Sequence, residues 1–133
     1  MIKFTWEHIN ANHMDPTLRK LMGTQFNNIK LSHDIHVICT KLLKAIDEKR
    51  KVYSAKVKEL AEKDENGNVA LDQFGGPKIP VEKEAEMEAA TKELLTGELE
   101  IEKHPIQFQL LDKALLTPNE VAAILPMITG LDS

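Results

Sequence analysis

Cysteine is nearly absent from this chain, with Cys39 the only one in 133 residues. An internal disulfide is therefore excluded, and nothing in the cysteine content calls for an oxidising compartment. Aromatic residues are scarce too, at 5% of the chain: Phe4, Trp6, Phe26, Tyr53, Phe74 and Phe108. A core so poor in rings has to be filled by Leu, Ile, Val and Ala, which suits helix-on-helix packing. No apolar run approaches the roughly 20 residues that a membrane-spanning helix needs. The first 13 residues carry neither the apolar stretch nor the small-residue cleavage site of a signal peptide. The expectation is a protein that stays in the cytoplasm, or in a particle assembled there. Positive charge is not in excess either. A net charge of −4 argues against general nucleic-acid binding, because phosphate recognition needs concentrated cations.

Apolar residues make up 42% of the chain and charged residues 29%, ordinary globular values, so one domain over residues 1–133 is expected. The charge is unevenly spread. Residues 41–63 hold eight basic and four acidic side chains, a net of +4, whereas residues 82–102 hold eight Glu and two Lys, a net of −6. Two such segments either attract and pack together or form separately solvated faces.

Ile2, Phe4 and Trp6 alternate with polar residues, predicting a short strand with one buried face. A polar stretch without periodicity follows, and then Asp15-Pro16 reads as a helix start, with a stop at Gly23. Residues 1–31 are thus an N-terminal strand and short helix. From Ser32, a candidate N-cap, some thirty residues contain neither Gly nor Pro and predict a long helix over 32–64, about 45 Å in length. Cys39, Ile46, Tyr53 and Leu60 recur in it at sevens, a seam suited to antiparallel packing. A β-hairpin over 68–81 is predicted around Gly75-Gly76-Pro77, then an acidic helix over 82–96, then a strand and C-terminal helix within 98–133. Thr117-Pro118-Asn119-Glu120 has the cap, proline and glutamate of a capping box. No internal repeat is evident. The fold class is mainly α with short β elements (α+β), the long helix packed on the shorter acidic one and joined to it by the hairpin.

Chemistry-bearing groupings are weak. His33, His36 and Cys39 fall at i, i+3 and i+6, about 60° apart around a helix axis, and His8, His13 or Asp34 could complete a tetrahedral zinc set. A core cysteine beside two boundary histidines explains the spacing more simply, so no metal is expected. Glutamates between 82 and 102 offer many carboxylate pairs, but an open helix face does not shift a pKa. Gly75-Gly76-Pro77-Lys78 lacks the spacing of a phosphate loop, and Ser32, Thr40 and Ser54 sit in no nucleophile motif. Lys49-Arg50-Lys51 has Asp47 and Glu48 beside it and no stacking aromatics, which favours a partner-facing or solvated helix side over nucleic acid. The expectation is no enzyme, no cofactor and no catalytic residue.

The order of elements carries one resemblance. Leu18-Arg19-Lys20-Leu21-Met22 precedes the long helix, Lys63-Asp64-Glu65-Asn66-Gly67-Asn68 ends it, and Glu98-Leu99-Glu100-Ile101 and Leu116-Thr117-Pro118-Asn119-Glu120 follow the Glu-rich helix. Over roughly residues 15–125 this resembles small proteins of tailed bacteriophages. The resemblance brings no catalytic residues. It implies a virion or morphogenesis role, in which small helical proteins serve as connectors, plugs or assembly factors. The leading expectation is a non-enzymatic accessory structural or assembly protein that binds other protein subunits, either copies of itself or phage structural proteins. Its candidate contact residues are Cys39, Tyr53, Lys49 and Arg50. A small chaperone-like or regulatory binding module is the alternative, and a metal-dependent enzyme a third.

Overall fold

A computed structural model describes residues 1–130, so positions 131–133 of the expected C-terminal segment lie outside the described residues. The chain is mainly α with short β elements, as its patterning predicts. Its contacts divide the described residues into two compact units, one formed by residues 1–46 and 96–130, the other by residues 47–95. The longest element, helix α3 (Ile29–Leu60), contributes residues to both.

The first unit opens with strand β1 (Ile2–Thr5), whose buried–exposed alternation follows from its alternating sequence. Thr5 then changes role: its hydroxyl accepts the His8 amide and caps helix α1 (Trp6–Ala11). That helix occupies a stretch without apolar periodicity, and it starts at Trp6, which the pattern assigns to the strand. Helix α2 (Met14–Met22) begins one residue ahead of Asp15, with His13 in the left-handed region at φ 43°, and its amphipathic face buries Met14, Leu18 and Leu21. Helix α3 starts three residues earlier than Ser32, because Asn28 is the residue that caps it. The Asn28 Oδ1 accepts the Leu31 amide at 3.0 Å.

Strand β2 (Glu98–Ile101) runs antiparallel to β1 and sets Ile2 opposite Ile101 and Phe4 opposite Leu99. Strand β3 (Ile106–Gln107) passes into a 3-10 segment over Phe108–Ala114. Helix α5 (Pro118–Ala123) carries the full capping box, with the Thr117 hydroxyl accepting the Glu120 amide and Glu120 accepting the Thr117 amide. A 3-10 turn at Leu125–Met127 leads into β4 (Ile128–Thr129), parallel to β3. One apolar cluster joins these pieces. Ile2 and Phe4, Leu18 and Leu21, Ile35, Ile38 and Leu42, and Ile124 and Met127 are all inaccessible or nearly so. Each such side chain removed from water is worth about 1.5–3 kcal/mol, so this cluster is the main source of stability in the first unit.

The second unit holds the last turns of α3, a 3-10 turn at Val81–Lys83 and helix α4 (Glu84–Leu94). Within it Lys56 Nζ on α3 reaches Glu86 Oε1 on α4 at 3.2 Å, so the basic and acidic segments meet at this pair. The connection between the helices differs from a single hairpin. Two tight turns follow one another, each closed by one antiparallel bridge, Lys63 with Val69 and Leu71 with Pro77. Their hydrogen bonds are the same eight residues apart. Asp64 donates its amide to the Asn68 carbonyl, and Asp72 to that of Gly76, both at 2.8 Å. Gly67 donates to the Asp64 carbonyl, and Gly75 to that of Asp72, both at 3.1 Å. Each pattern is a type I turn closed by a left-handed glycine, Gly67 at φ 80° and Gly75 at φ 82°. A longer ladder cannot grow because the backbone closes on itself three ways. The Glu62 amide donates to the Lys78 carbonyl, the Lys78 amide to that of Ala70, and the Ala70 amide to that of Glu62. Each of these residues directs its donor and its acceptor to two different neighbours. The unit therefore contains a structural repeat of eight residues, although the side chains vary enough to hide it in the sequence.

Candidate interaction surface

The four residues singled out from the sequence do not form one surface. Cys39 lies in the apolar cluster of the first unit with no exposure, so its expected partner contact is corrected: the thiol is a core group. Burial pushes its pKa up to about 12, which keeps it protonated and unreactive. Tyr53, Lys49 and Arg50 belong to the second unit. Tyr53 shares the seven-residue seam with Ile46 and Leu60, but it is 44% exposed where they are 6% and 3%. Lys49 is half-buried and Arg50 exposed. Lys51, their neighbour, pairs with Asp47 at 3.2 Å one turn back, as befits a solvated helix side.

Nor does the structure bring His33, His36 and Cys39 together. Both imidazoles stand on exposed positions of α3, whereas the thiol faces the core. Asp34 is drawn off by Lys103 at 3.1 Å, and His8 places its Nε2 2.9 Å from the Ala123 carbonyl. Among the described residues no group of three or more His, Cys, Asp or Glu converges. The acidic side chains of 82–102 are spread along a helix and a strand. Glu86 is held by Lys56, Glu88 by Lys92 and Glu100 by Lys3. A groove of about 680 Å³ in the first unit is lined by Met1, Leu31, Ile106 and Leu110 together with the Lys103–Asp34 pair. Lys103 and Asp34 satisfy each other at 3.1 Å, and the other charged side chains on its wall, Lys30 and Glu102, are of opposite sign, so the lining side chains show no excess of either charge.

The second unit differs in having almost no buried side chains beside its exposed ones. Within residues 47–95 the only buried side chains are Leu60 and Ala61, and α4 has none. Large apolar groups stand in water instead: Val52 at 56%, Leu71 at 65%, Val81 at 79% and Phe74 at 86%, besides Tyr53. Leu71, Phe74 and Val81 are not singled out in the sequence because a hairpin over 68–81 places them in its arms rather than on exposed turns. The signal that could have found them is the repeated Asp-x-x-Gly. It turns the chain twice and throws both tips outward.

The frame beneath these groups is well tied down. Asp64 Oδ1 accepts the amides of Asn66 and Asn68 at 2.9 and 3.0 Å, and Asp72 Oδ1 accepts those of Phe74 and Gly76 at the same distances. Lys78 pairs with Glu62 at 3.4 Å across the ring of backbone bonds. Lys56 sits between Glu86 and Glu59, and the hydrogen bond it donates to Glu86 raises its pKa above the ordinary lysine value. What the arrangement can do chemically is present apolar side chains on an ordered backbone amid mixed charge. Among the described residues, no helix is long and apolar enough to cross a membrane. No family model, no curated protein and no solved structure matches the chain.

Proposed function

We propose that this is a non-enzymatic accessory structural or assembly protein that binds other protein subunits, with residues 47–95 as its contact region. The observation that carries the proposal is the second unit's shortage of a core of its own. It has two buried side chains and five large apolar ones left between 44% and 86% exposed. Scattered exposed apolar groups are ordinary, but five within 30 consecutive positions, on a unit that buries so little, mark a surface that gains by being covered. Covering each would contribute about 1.5–3 kcal/mol before the entropic cost of association. The setting implied by the resemblance to tailed-bacteriophage proteins is a virion or its assembly. There a small protein of this kind acts by stoichiometric contact.

The test is molar mass in solution by light scattering, for the protein alone and for any complex co-purified from its native source. A defined oligomer or a complex of fixed stoichiometry, with hydrogen exchange slowed within 47–95, is the expected result. A chain that stays monomeric at about 15 kDa and enters no stoichiometric complex would sink the proposal. Transient complexes of varying composition would favour the chaperone-like alternative.

A further inference from the structure

The two turns of the second unit are built alike and differ at one outward position. Asn66 and Phe74 occupy the same place: each gives its amide to the turn's aspartate at 2.9 Å, and each precedes a glycine at φ 80° or 82°. Both side chains are exposed, Phe74 at 86%. The first turn shows that the frame closes with a polar side chain there. Turn geometry therefore gives no reason for a phenyl ring in water at position 74. Leu71, at the start of the same turn, is 65% exposed. The backbone beneath them is satisfied by Asp72, by the Leu71–Pro77 bridge and by the three-way closure through Glu62, Ala70 and Lys78, so the ring is offered from an ordered support. Ordering costs are then small on docking. The segment that carries the anchor is net acidic: residues 62–86 hold seven acidic side chains and three basic ones. Although Glu62 pairs with Lys78 and Glu86 with Lys56, the remaining acids still outnumber the remaining lysines.

Resting on the protein-binding function above, we propose that Phe74, flanked by Leu71, is an anchor that inserts into an apolar pocket with a basic rim on a different folded protein subunit. Aromatic anchors in desolvated pockets dominate binding energy, and the acidic surroundings select the rim. The same surroundings repel anionic lipid. They also oppose a second copy, which brings an equal excess of acid around the same tip.

Photo-crosslinking with benzoylphenylalanine placed at position 74, and separately at 66, in the full chain tests this directly. The expected product forms from 74 and not from 66, and its attachment maps by mass spectrometry to a pocket of apolar residues edged by Lys or Arg on one other protein. Phe74→Asn should weaken that complex by about 30-fold or more, in the range of an aromatic hot spot, and leave the melting temperature unchanged because Asn66 already serves in the same frame. A simpler probe needs no partner. β-Cyclodextrin bearing amino groups on its rim should shift the Phe74 ring and Leu71 methyl resonances at lower concentration than the carboxylated form, and in Phe74→Asn the Leu71 shift should be lost. Equal crosslinking from both turns, or indifference to rim charge, overturns the proposal. So does Phe74-dependent flotation with phosphatidylcholine–phosphatidylglycerol vesicles, or a doubled mass that Phe74→Asn returns to monomer. A complex that survives Phe74→Asn undiminished sinks the anchor while the protein-binding function stands. Absence of any complex sinks both.

Discussion

The two units of this chain differ in how much they bury rather than in whether they expose apolar groups, since the first also leaves Ile29 at 91% and Leu115 at 81%. In residues 1–46 and 96–130, side chains from β1, α2, α3, β2 and the C-terminal segments meet in one cluster, and nine of the largest are at or below 2% exposure before Met14, Cys39 and Ile101 are added. In residues 47–95 two side chains are buried, and the backbone is held by capped turns, a ring of three hydrogen bonds and surface ion pairs. Burial stabilises more strongly, at about 25 cal/mol for each Å² removed from water, whereas a net hydrogen bond contributes about 1 kcal/mol and an exposed ion pair less. The first unit is therefore the stable scaffold. The second is ordered locally but leaves Leu71, Phe74 and Val81 largely exposed.

The sharpest way to break this contrast is to shorten one side chain of α3 in each unit. Leu42→Ala, at a position with no exposure, should destabilise the protein by about 2–5 kcal/mol, the range for a cavity in a packed core. Val52→Ala, at 56% exposure on the same helix, should change stability by no more than about 0.5 kcal/mol. Urea denaturation followed by circular dichroism decides it. Comparable losses at both positions would mean that the second unit has a core after all.

The next effect lies within the second unit. Asp64→Ala and Asp72→Ala each strip an oxygen that accepts two amides, and each should cost about 1 kcal/mol of local stability. Gly67→Ala and Gly75→Ala should cost a similar amount by forcing a Cβ into left-handed backbone. Amide exchange should accelerate in the turn that carries the change and in the ring residues Glu62, Ala70 and Lys78, while the amides of Ile38 and Leu42 keep their protection. If the core amides accelerated equally, the two units would unfold as one.

Much of this contrast is legible in the residues, and the failures have physical causes. The alternation at Ile2–Thr5, the long helix, the Thr117 capping box and the strand at Glu98–Ile101 are each set by local chemistry, and each is present. Helix α1 is hidden because Trp6 completes a strand-like alternation while Thr5, two roles in one residue, ends the strand and caps the helix. The start of α3 is ambiguous because Ser32 and Asn28 are both good caps, and only the Leu31 amide on Asn28 decides between them. The paired turns resemble a single hairpin because their closure joins three segments, and no pairwise pattern encodes that. Of the candidate contacts, Cys39 fails because the seven-residue seam cannot tell a helix position facing the protein's own core from one facing outward. Lys49, Arg50 and Tyr53 fall in the unit that carries the proposed surface, but Phe74 at its tip stands out only once Asp64-Glu65-Asn66-Gly67 and Asp72-Gln73-Phe74-Gly75 are aligned as two like turns.

A smaller effect separates the units by pH. Glu120 closes the capping box of α5 and accepts Lys20 Nζ at 2.8 Å, and that hydrogen bond, followed by the one from the Thr117 amide, holds its carboxyl below the usual glutamate range. A carboxyl depressed in the folded state adds stability above its ordinary pKa, and that contribution is lost as pH falls through the lowered value. Glu120→Gln keeps an oxygen for the Thr117 amide but removes the charge, so it should lose about 0.3–1 kcal/mol near neutral pH, the usual worth of a first-turn carboxylate or a surface ion pair, and the loss should shrink in acid where the wild-type carboxyl is itself protonated. A gap between the two proteins that stayed constant into acid would assign the effect to shape rather than charge.

The counterpart in the second unit lies at the alkaline end and is the weakest of these effects. Lys56 has its pKa raised, first by the hydrogen bond to Glu86 and further by the charges of Glu59 and Glu86. A lysine raised in the folded state contributes fully below its ordinary pKa, and the contribution fades as pH climbs through the raised value. The pair is solvent-exposed on its glutamate side, so salt screens it and Lys56→Met should barely move global stability. The readout that isolates it is amide exchange across α4 in low salt at neutral pH, with wild type and Lys56→Met compared again in about 1 M salt, where the Debye length falls to about 3 Å. A difference present in low salt and absent in high salt would show that α4 is tethered by charge. Equal exchange in both would leave the ring of backbone bonds at Glu62, Ala70 and Lys78 as the feature that orders this unit, and a difference indifferent to salt would place the Lys56 methylene stem, rather than its ammonium, against α4.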